Sequence, residues 1–349
     1  MKTQPVKAIV FHGPDDIRIG DFALGECGPD DIEIRTLYTM VSTGSELRAL
    51  TGFYQNKAPF PLIPGYSVVG EVTRVGERAT GFRVGDLVSS RAHNRLEGAS
   101  ACWGGQASAH ISSTLGSGRP VLLPAGADPL DYAIVETSAI SLRGVEGAAP
   151  RPGETAVVIG QGIIGAYSAA WLQARGCRVV VTDIDKNRLD RARARGVSAA
   201  VSAADEHAES RLQAFLYGGG ADIVIESSGS TRGVLLAYRL LRKKPQSHGD
   251  PMHYYGGNWP RLVMQATYRE PVTLDPFKFV PGEGITIIAP KDRGVEDRQK
   301  TVEAIRGGQI NSRHFIDSPV DFCDAVQAYR NLRDNPSAHF SLVFDWTRA

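Results

Sequence analysis

The sequence predicts an α/β protein in which a doubly wound parallel sheet is joined to a β-rich domain. Three observations carry this. Thr155-Ala156-Val157-Val158-Ile159 is an unbroken apolar run of the kind buried on both faces of a parallel sheet. A strand–helix alternation follows it: a helical stretch from Ala166 to Arg175, the strand Arg178 to Thr182, the basic helix Lys186 to Arg195, and the strand Ala221 to Glu226. That order implies parallel strands linked by crossover helices. The residues before number 150 read differently, as short segments such as Ile32-Glu33-Ile34-Arg35 and Val68-Val69-Gly70-Glu71-Val72 punctuated by Gly and Pro.

Taken in order, Val6 to Val10 reads as a first strand, and Gly81 to Val88 as a turn leading into another. From Asp128 to Gly147 the spacing turns helical, with Ile134, Ile140 and Leu142 among small residues. The Pro-rich joint Ala149-Pro150-Arg151-Pro152-Gly153 separates the two rhythms. Beyond the alternating region, Thr301 to Arg306 and Asp321 to Leu332 read as helices, and His339 to Phe344 as a closing strand. Met252 to Tyr255 reads as a further strand of the parallel sheet, after the basic patch Arg242-Lys243-Lys244. The domains expected are 1–148, 149–285 and a C-terminal return to the first domain at 286–349.

Composition excludes several classes. The 349 residues hold 39 Lys and Arg against 38 Asp and Glu, so no global field draws the chain to nucleic acid or a membrane. No apolar run reaches the roughly 18 residues of a membrane span, and the N-terminus lacks a signal-peptide pattern. Cys27, Cys102, Cys177 and Cys323 lie far apart, without metal-site or disulfide spacing. A cytoplasmic protein with free thiols is expected.

The turn after Ile159 reads Gly160-Gln161-Gly162-Ile163-Ile164-Gly165, between strand and helix, and Asp183 ends the next strand. This is the dinucleotide fingerprint. Gly160 permits the tight turn, and Gly162 lets backbone approach a pyrophosphate held by N–H groups at the helix N-terminus, with Ile163 and Ile164 also expected to bind the cofactor. Gly165 allows close helix–sheet packing. Asp183 suits the ribose diol and repels a 2′-phosphate, so NAD is the expected cofactor. Ser227-Ser228-Gly229, at the end of the third strand, is placed to offer the cofactor its backbone.

Pro64-Gly65-Tyr66-Ser67-Val68-Val69-Gly70-Glu71-Val72, the Gly81 to Val88 segment, the fingerprint and the Ala221 to Glu226 strand together resemble the medium-chain dehydrogenase/reductase superfamily. The resemblance covers nearly the whole chain and implies a GroES-like catalytic domain beside a Rossmann domain. Within the superfamily, Ser42-Thr43-Gly44-Ser45-Glu46, the Pro-Gly-Tyr segment and the ending Leu342 to Trp346 are similar to the bacteriochlorophyllide dehydrogenase type, a zinc-lacking branch.

Zinc-dependent members carry a Cys where this chain has Thr43, and His-Glu where it has Tyr66-Ser67. Hydroxyls are poor substitutes for thiolate and imidazole. Glu136 falls near the third ligand position, and Cys102 stands alone where a structural zinc needs four cysteines. No metal is expected. By the resemblance, Tyr66 sits where a metal ligand would be, as first candidate for proton carrier, and Ser45 aligns with the hydroxyl that relays the substrate proton. Ser45 is equally readable as a helix cap. Glu46 and Glu136 are placed to meet as a carboxylate pair with one raised pKa, or each to pair with an arginine such as Arg48 or Arg143. His93, at a strand end, is a further acid–base candidate. Trp103-Gly104-Gly105 reads as a structural turn, with Trp103 able to line the pocket.

The function expected is a zinc-independent NAD-dependent dehydrogenase acting on a secondary alcohol or its ketone. The alternatives are a quinone- or enoyl-type double-bond reductase and an inactive NAD(H)-binding protein. The resemblance implies a homodimer or homotetramer acting on a small molecule.

Overall fold

Thr155–Ile159 is buried at every position, as a strand covered on both faces must be. It pairs in parallel with Arg178–Asp183 on one side and Ile223–Glu226 on the other. In the computed structural model, which describes residues 5–92, 94–216, 219–242, 259–268, 270–274, 284–291, 294–337 and 339–349, this sheet runs Ala199–Ser202, Arg178–Asp183, Thr155–Ile159, Ile223–Glu226, Arg261–Met264, Thr286–Ile288. All its pairings are parallel. Helices Ile163–Ala174, Lys186–Ala194, Ala208–Ala214 and Thr231–Leu240 make the connections. This is the doubly wound architecture the sequence predicts. The Met252 to Tyr255 strand and most of the basic patch before it, Lys243 onward, lie outside the described residues. The described strand beside Ile223–Glu226 is Arg261–Met264.

The chain divides into two compact units, residues 140–292 and residues 1–139 with 293–349. The second of these is β-rich. One sheet runs Val320–Asp321, Val343–Asp345, Asp31–Met40, Val68–Val75, Leu87–Ser90, Val121–Leu122, and Ala109–Ser113 also pairs with Asp31–Met40. A smaller sheet joins Asp16–Phe22, Val6–Gly13, Leu62–Ile63 and Ser100–Ala101. The C-terminal strand pairs Val343 with Met40, and Val41 N–H donates to the Leu342 carbonyl at 2.8 Å. The end of the chain therefore fixes the point where Asp31–Met40 gives way to the helix Thr43–Leu50.

Several boundaries differ from the sequence reading, each for a local reason. The helix expected from Thr301 begins at Val295, and its first turns bury Asp297 and Arg298, charges that hide the apolar period. The helix expected from Asp321 begins at Ala325, because Asp321 accepts from Cys323 N–H and holds a 3-10 turn over Phe322–Asp324. The closing strand is Val343–Asp345 rather than His339 to Phe344. Asp317 Oδ2 takes the N–H groups of Phe340 and Ser341 at 2.9 and 3.2 Å, which a strand ladder would otherwise use. Among the described residues, no helix is long and apolar enough to cross a membrane.

Candidate active site

In the nucleotide-binding unit, Gly160 adopts φ 86°, and a Cβ there would lie 2.8 Å from the Ser228 backbone nitrogen. A Cβ on Gly165 would lie 1.9 Å from the Gly160 carbonyl oxygen. Only glycine fits either place. Gly162 is the N-cap of Ile163–Ala174 and provides no side-chain cap, so the first N–H groups of the helix, Ile163 and Ile164 among them, are open to an anion. Around the same turn the buried Gln161 Oε1 and Thr182 Oγ1 lack a hydrogen-bond partner. An anion cradle that a side chain would fill, with orphaned polar atoms beside it, fits a dinucleotide.

Asp183 has a structural duty as well. Its Oδ2 accepts from Gln161 N–H at 2.5 Å, its Oδ1 from Asp185 N–H at 2.8 Å, and Arg188 stands 3.8 Å away. The carboxylate thus holds the glycine turn in register while lying at the strand end where a ribose diol is expected. At the third strand the structure narrows the sequence reading. The N–H groups of Ser228 and Gly229 both donate to the buried Glu226, at 2.8 and 3.2 Å, and Tyr268 Oη donates to it at 2.5 Å. Those two N–H groups are therefore committed within the turn.

In the β-rich unit, Tyr66 follows the strand Leu62–Ile63 and is 8% exposed. Its Oη lies 2.6 Å from Ser42 Oγ and is also hydrogen-bonded by Ser45. Burial pushes the phenol up to about 12, against the pull of the two serines. The helix Thr43–Leu50 takes Ser42 as its N-cap residue, with no side-chain cap. Ser45 thus sits within the first turn, turned to Tyr66. Glu46, wholly buried on the same helix, accepts from Ser42 N–H at 2.7 Å, Gln106 Nε2 at 3.1 Å and Tyr329 Oη at 2.5 Å. Gln106 is held in turn by Thr39 at 2.6 Å, and Thr39 by Trp346 Nε1 at 2.9 Å.

The expected meeting of Glu46 with Glu136 does not occur. Glu46 is raised to about 7 by burial, opposed by its three donors, and no second carboxylate contributes. Glu136 pairs instead with Arg91, at 2.5 Å to Nε, and with the fully buried Arg298, at 3.4 Å. Neither is the Arg48 or Arg143 expected. Ser90 Oγ accepts Ala92 N–H at 3.1 Å, holding Ala92 at φ 56° directly after Arg91. The charge of Glu136 still bears on Tyr66, so the two share one neighbourhood. His93 lies outside the described residues.

Zinc does not fit here. Of the three positions, Thr43 and Tyr66 offer neutral hydroxyls, and the Glu136 carboxylate is engaged by two guanidinium groups. Among the described residues no three His, Cys, Asp or Glu side chains cluster as a metal site.

Of the residues singled out in the sequence, Tyr66, Ser45 and Glu46 lie in one hydrogen-bonded cluster and Glu136 in an ion pair; their partners Ser42, Gln106, Tyr329, Arg91 and Arg298 were not singled out. Ser42 opens the Ser42-Thr43-Gly44-Ser45-Glu46 motif, but nothing in its spacing marks it as the partner of Tyr66. Tyr329 lies 283 positions from Glu46, beyond any spacing rule.

Glu46 gives the fold a pH dependence. Its pKa rises from an ordinary 4.5 in the unfolded chain to about 7 when folded. The associated stability is fully present below pH 4.5 and is lost as the pH climbs through 7, a change of about 3 kcal/mol. Going from pH 8 to pH 5, the wild type is expected to gain stability relative to Glu46→Gln. Parallel melting curves at the two pH values check this; equal gains in both proteins would remove Glu46 as the cause.

Comparison with known proteins places the chain. The alcohol dehydrogenase GroES-like domain matches residues 28–141, and the zinc-binding dehydrogenase family matches residues 164–247. A sorbitol dehydrogenase of Halalkalibacterium halodurans is 30% identical over 348 residues, 94% of this chain and 96% of that protein. The chain belongs to the medium-chain dehydrogenase/reductase superfamily. It is accordingly a nicotinamide-dependent oxidoreductase of the alcohol dehydrogenase type, acting on CH–OH. The fold agrees with that of an Escherichia coli oxidoreductase/dehydrogenase of unknown specificity, at TM-score 0.84, 21% identity and coverage of 98% of this chain and 99% of that one. A 2R,3R-butanediol dehydrogenase from Bacillus subtilis superposes at TM-score 0.81, 18% identical over 97% of this chain and 99% of that one. Against the family description, this member departs at the metal-ligand positions while keeping the glycine turn.

Proposed function

We propose that this chain is a zinc-independent, NAD(H)-dependent dehydrogenase of a secondary alcohol and its ketone, with Tyr66 as proton carrier. It would then stand on a zinc-lacking branch of the superfamily, as its likeness to the bacteriochlorophyllide dehydrogenase type suggests. The observation that carries this reading is the buried Tyr66 phenol, bonded by Ser42 and Ser45 at a position where zinc-dependent members hold the metal. A bound nicotinamide supplies or accepts the hydride. The protein's own task is to hold the substrate oxygen and move its proton.

With its pKa pushed up to about 12, Tyr66 keeps its proton at neutral pH. It therefore serves best as a donor, which favours ketone reduction: its Oη–H would protonate the carbonyl oxygen of the substrate. Ser42 and Ser45 hold the phenol in place and would relay a proton from solvent back to it, each hydroxyl accepting one proton as it donates another. Glu136, neutralised by Arg91 and Arg298, is a fixed acceptor rather than a base. Asp183 supports NAD over NADP, and Gly160, Gly162, Ile163, Ile164 and Gly165 form the pyrophosphate cradle. Ser228 and Gly229 complete the proposed cofactor contacts.

The test uses protein expressed with ample zinc. We expect less than about one-tenth zinc per chain, ketone reduction insensitive to a strong chelator, and tighter binding of NADH than of NADPH by fluorescence titration. One tightly held zinc per chain with chelator-sensitive turnover would defeat the metal-free reading. Tighter NADPH binding would defeat the Asp183 argument.

A further inference from the structure

The nucleotide-binding unit has a buried carboxylate of its own, at the carboxyl end of the strand Ile223–Glu226. Glu226 is wholly buried and takes four donors. Three belong to the turn that follows it: Ser228 N–H at 2.8 Å, Ser228 Oγ, and Gly229 N–H at 3.2 Å. The fourth, Tyr268 Oη at 2.5 Å, arrives from 42 positions further along the chain. Burial, with the Glu226 charge adding to it, pushes the Tyr268 phenol well above its usual range, so its oxygen keeps the proton it donates.

The turn 227–229 has no slack. On one side it abuts the glycine turn, where a Cβ on Gly160 would lie 2.8 Å from the Ser228 nitrogen and 2.9 Å from the Ser227 carbonyl carbon. On the other side a Cβ on Gly229 would lie 3.0 Å from the Thr267 carbonyl oxygen. Glu226 also ties down the segment 265–268 at both ends. Its carbonyl accepts from Gln265 and Ala266 N–H at 2.9 and 3.2 Å, and its carboxylate accepts from Tyr268. One residue thus fixes two loops at the edge of the sheet, and the phenol is the link between them that a substitution can cut.

Strand order places these loops. Arg178–Asp183 lies on one side of Thr155–Ile159, while Ile223–Glu226 and then Arg261–Met264 lie on the other. A doubly wound sheet takes a dinucleotide across its carboxyl edge, one mononucleotide on each side of the point where strand order reverses. With the adenosine ribose at Asp183, the loops held by Glu226 fall on the nicotinamide side.

We infer that Tyr268 is a positioning residue for the nicotinamide half of the cofactor, acting through Glu226 on the turn 227–229. This rests on the reading of the glycine turn and Asp183 as a dinucleotide site. Because Ser228 and Gly229 commit their N–H groups to Glu226, what the turn brings to the cofactor is a fixed surface. A buried carboxylate deprived of a donor draws its neighbours in or admits water, and either response moves the turn against Gly160.

The test is calorimetry on the full chain with two probes: AMP, which reaches only the Asp183 side, and NADH, which reaches both. Tyr268→Phe is expected to weaken NADH by about fivefold or more, since it removes a hydrogen bond to a charged group, and to leave AMP within about twofold. Glu226→Gln keeps the shape but puts an amide that cannot accept on one side of the group, so it should weaken NADH as well. In that background Tyr268→Phe should change NADH binding by less than about twofold, because the phenol acts only through the carboxylate. General loosening of the unit would lower both probes together and would leave the two substitutions additive. An NADH affinity unmoved by Tyr268→Phe, an AMP affinity that falls in parallel, or an undiminished effect of Tyr268→Phe beside Glu226→Gln overturns the inference and leaves the dinucleotide reading standing. Wild type that binds NADH no more tightly than AMP defeats the dinucleotide reading, and the role of Tyr268 with it.

Discussion

Tyr66→Phe is expected to lower ketone reduction by about 10²- to 10⁴-fold, the usual contribution of a positioned proton donor, while NADH binding changes little. The substitution removes one oxygen and keeps the ring against Trp103, so the packing that buries Tyr66 survives. Ser42 Oγ loses its 2.6 Å partner, and its hydroxyl is left to rotate. The loss should therefore fall on kcat rather than on the melting temperature. It should also change the pH profile. If Tyr66 is the donor, the wild-type rate falls at high pH as the phenol ionises, toward about 12, and the residual rate of the variant lacks that limb. Steady-state kinetics across pH check both points. Wild-type kcat in Tyr66→Phe would exclude the phenol as proton carrier. A change confined to KM would assign it to substrate positioning instead.

Arg298→Leu is expected to cost about 3–5 kcal/mol of folding stability, because it leaves a buried carboxylate without one of its cations. Both members of the Arg298–Glu136 pair have fully buried side chains. Arg298 also donates to the Ser117 carbonyl at 2.9 Å, so its loss strands a second acceptor. Arg91 stays on Glu136 and is 19% exposed, so it can recover only part of the compensation. The melting temperature should drop by roughly 10 °C, taking about 2–4 °C per kcal/mol for a unit of this size. Replacing both partners, as Glu136→Met with Arg298→Leu, should recover part of the loss, since neither fully buried charge of the pair remains and Arg91, 19% exposed, can turn toward solvent. Thermal unfolding of the single and double variants decides. A single variant within about 1 kcal/mol of wild type would mean that the pair is not buried as the structure has it.

Legibility followed the range of the interactions. Thr155 to Ile159, the glycine turn and Asp183 lie within 29 consecutive residues, and their spacing encodes a local strand–turn–helix–strand unit. Gly165 answers a steric demand set by the Gly160 carbonyl five residues before it, and the spacing of the turn against its flanking strands is itself local, so the pattern pointed to the unit. The residue types at Thr43 and Tyr66 were readable by the same logic, because a hydroxyl in place of thiolate or imidazole is a matter of sequence alone. Other features misled. The Ile285 to Arg306 region hides its helix because Asp297 and Arg298 are buried charges, and His339 to Ser341 looks like a strand until Asp317 takes its N–H groups.

The sequence by itself determined the doubly wound sheet, the dinucleotide turn and the hydroxyls at the metal positions, since each depends on residue types at short, fixed spacing. Only the tertiary structure decided what those hydroxyls and carboxylates do. It turned Ser45 toward Tyr66 rather than to a cap, placed Glu46 under Tyr329 and Gln106, and gave Glu136 to Arg91 and Arg298. The physical reason is burial. A carboxylate in a low-dielectric interior takes its protonation state from whichever donors and cations the fold delivers to it, and those arrive from strands and helices far away in the chain.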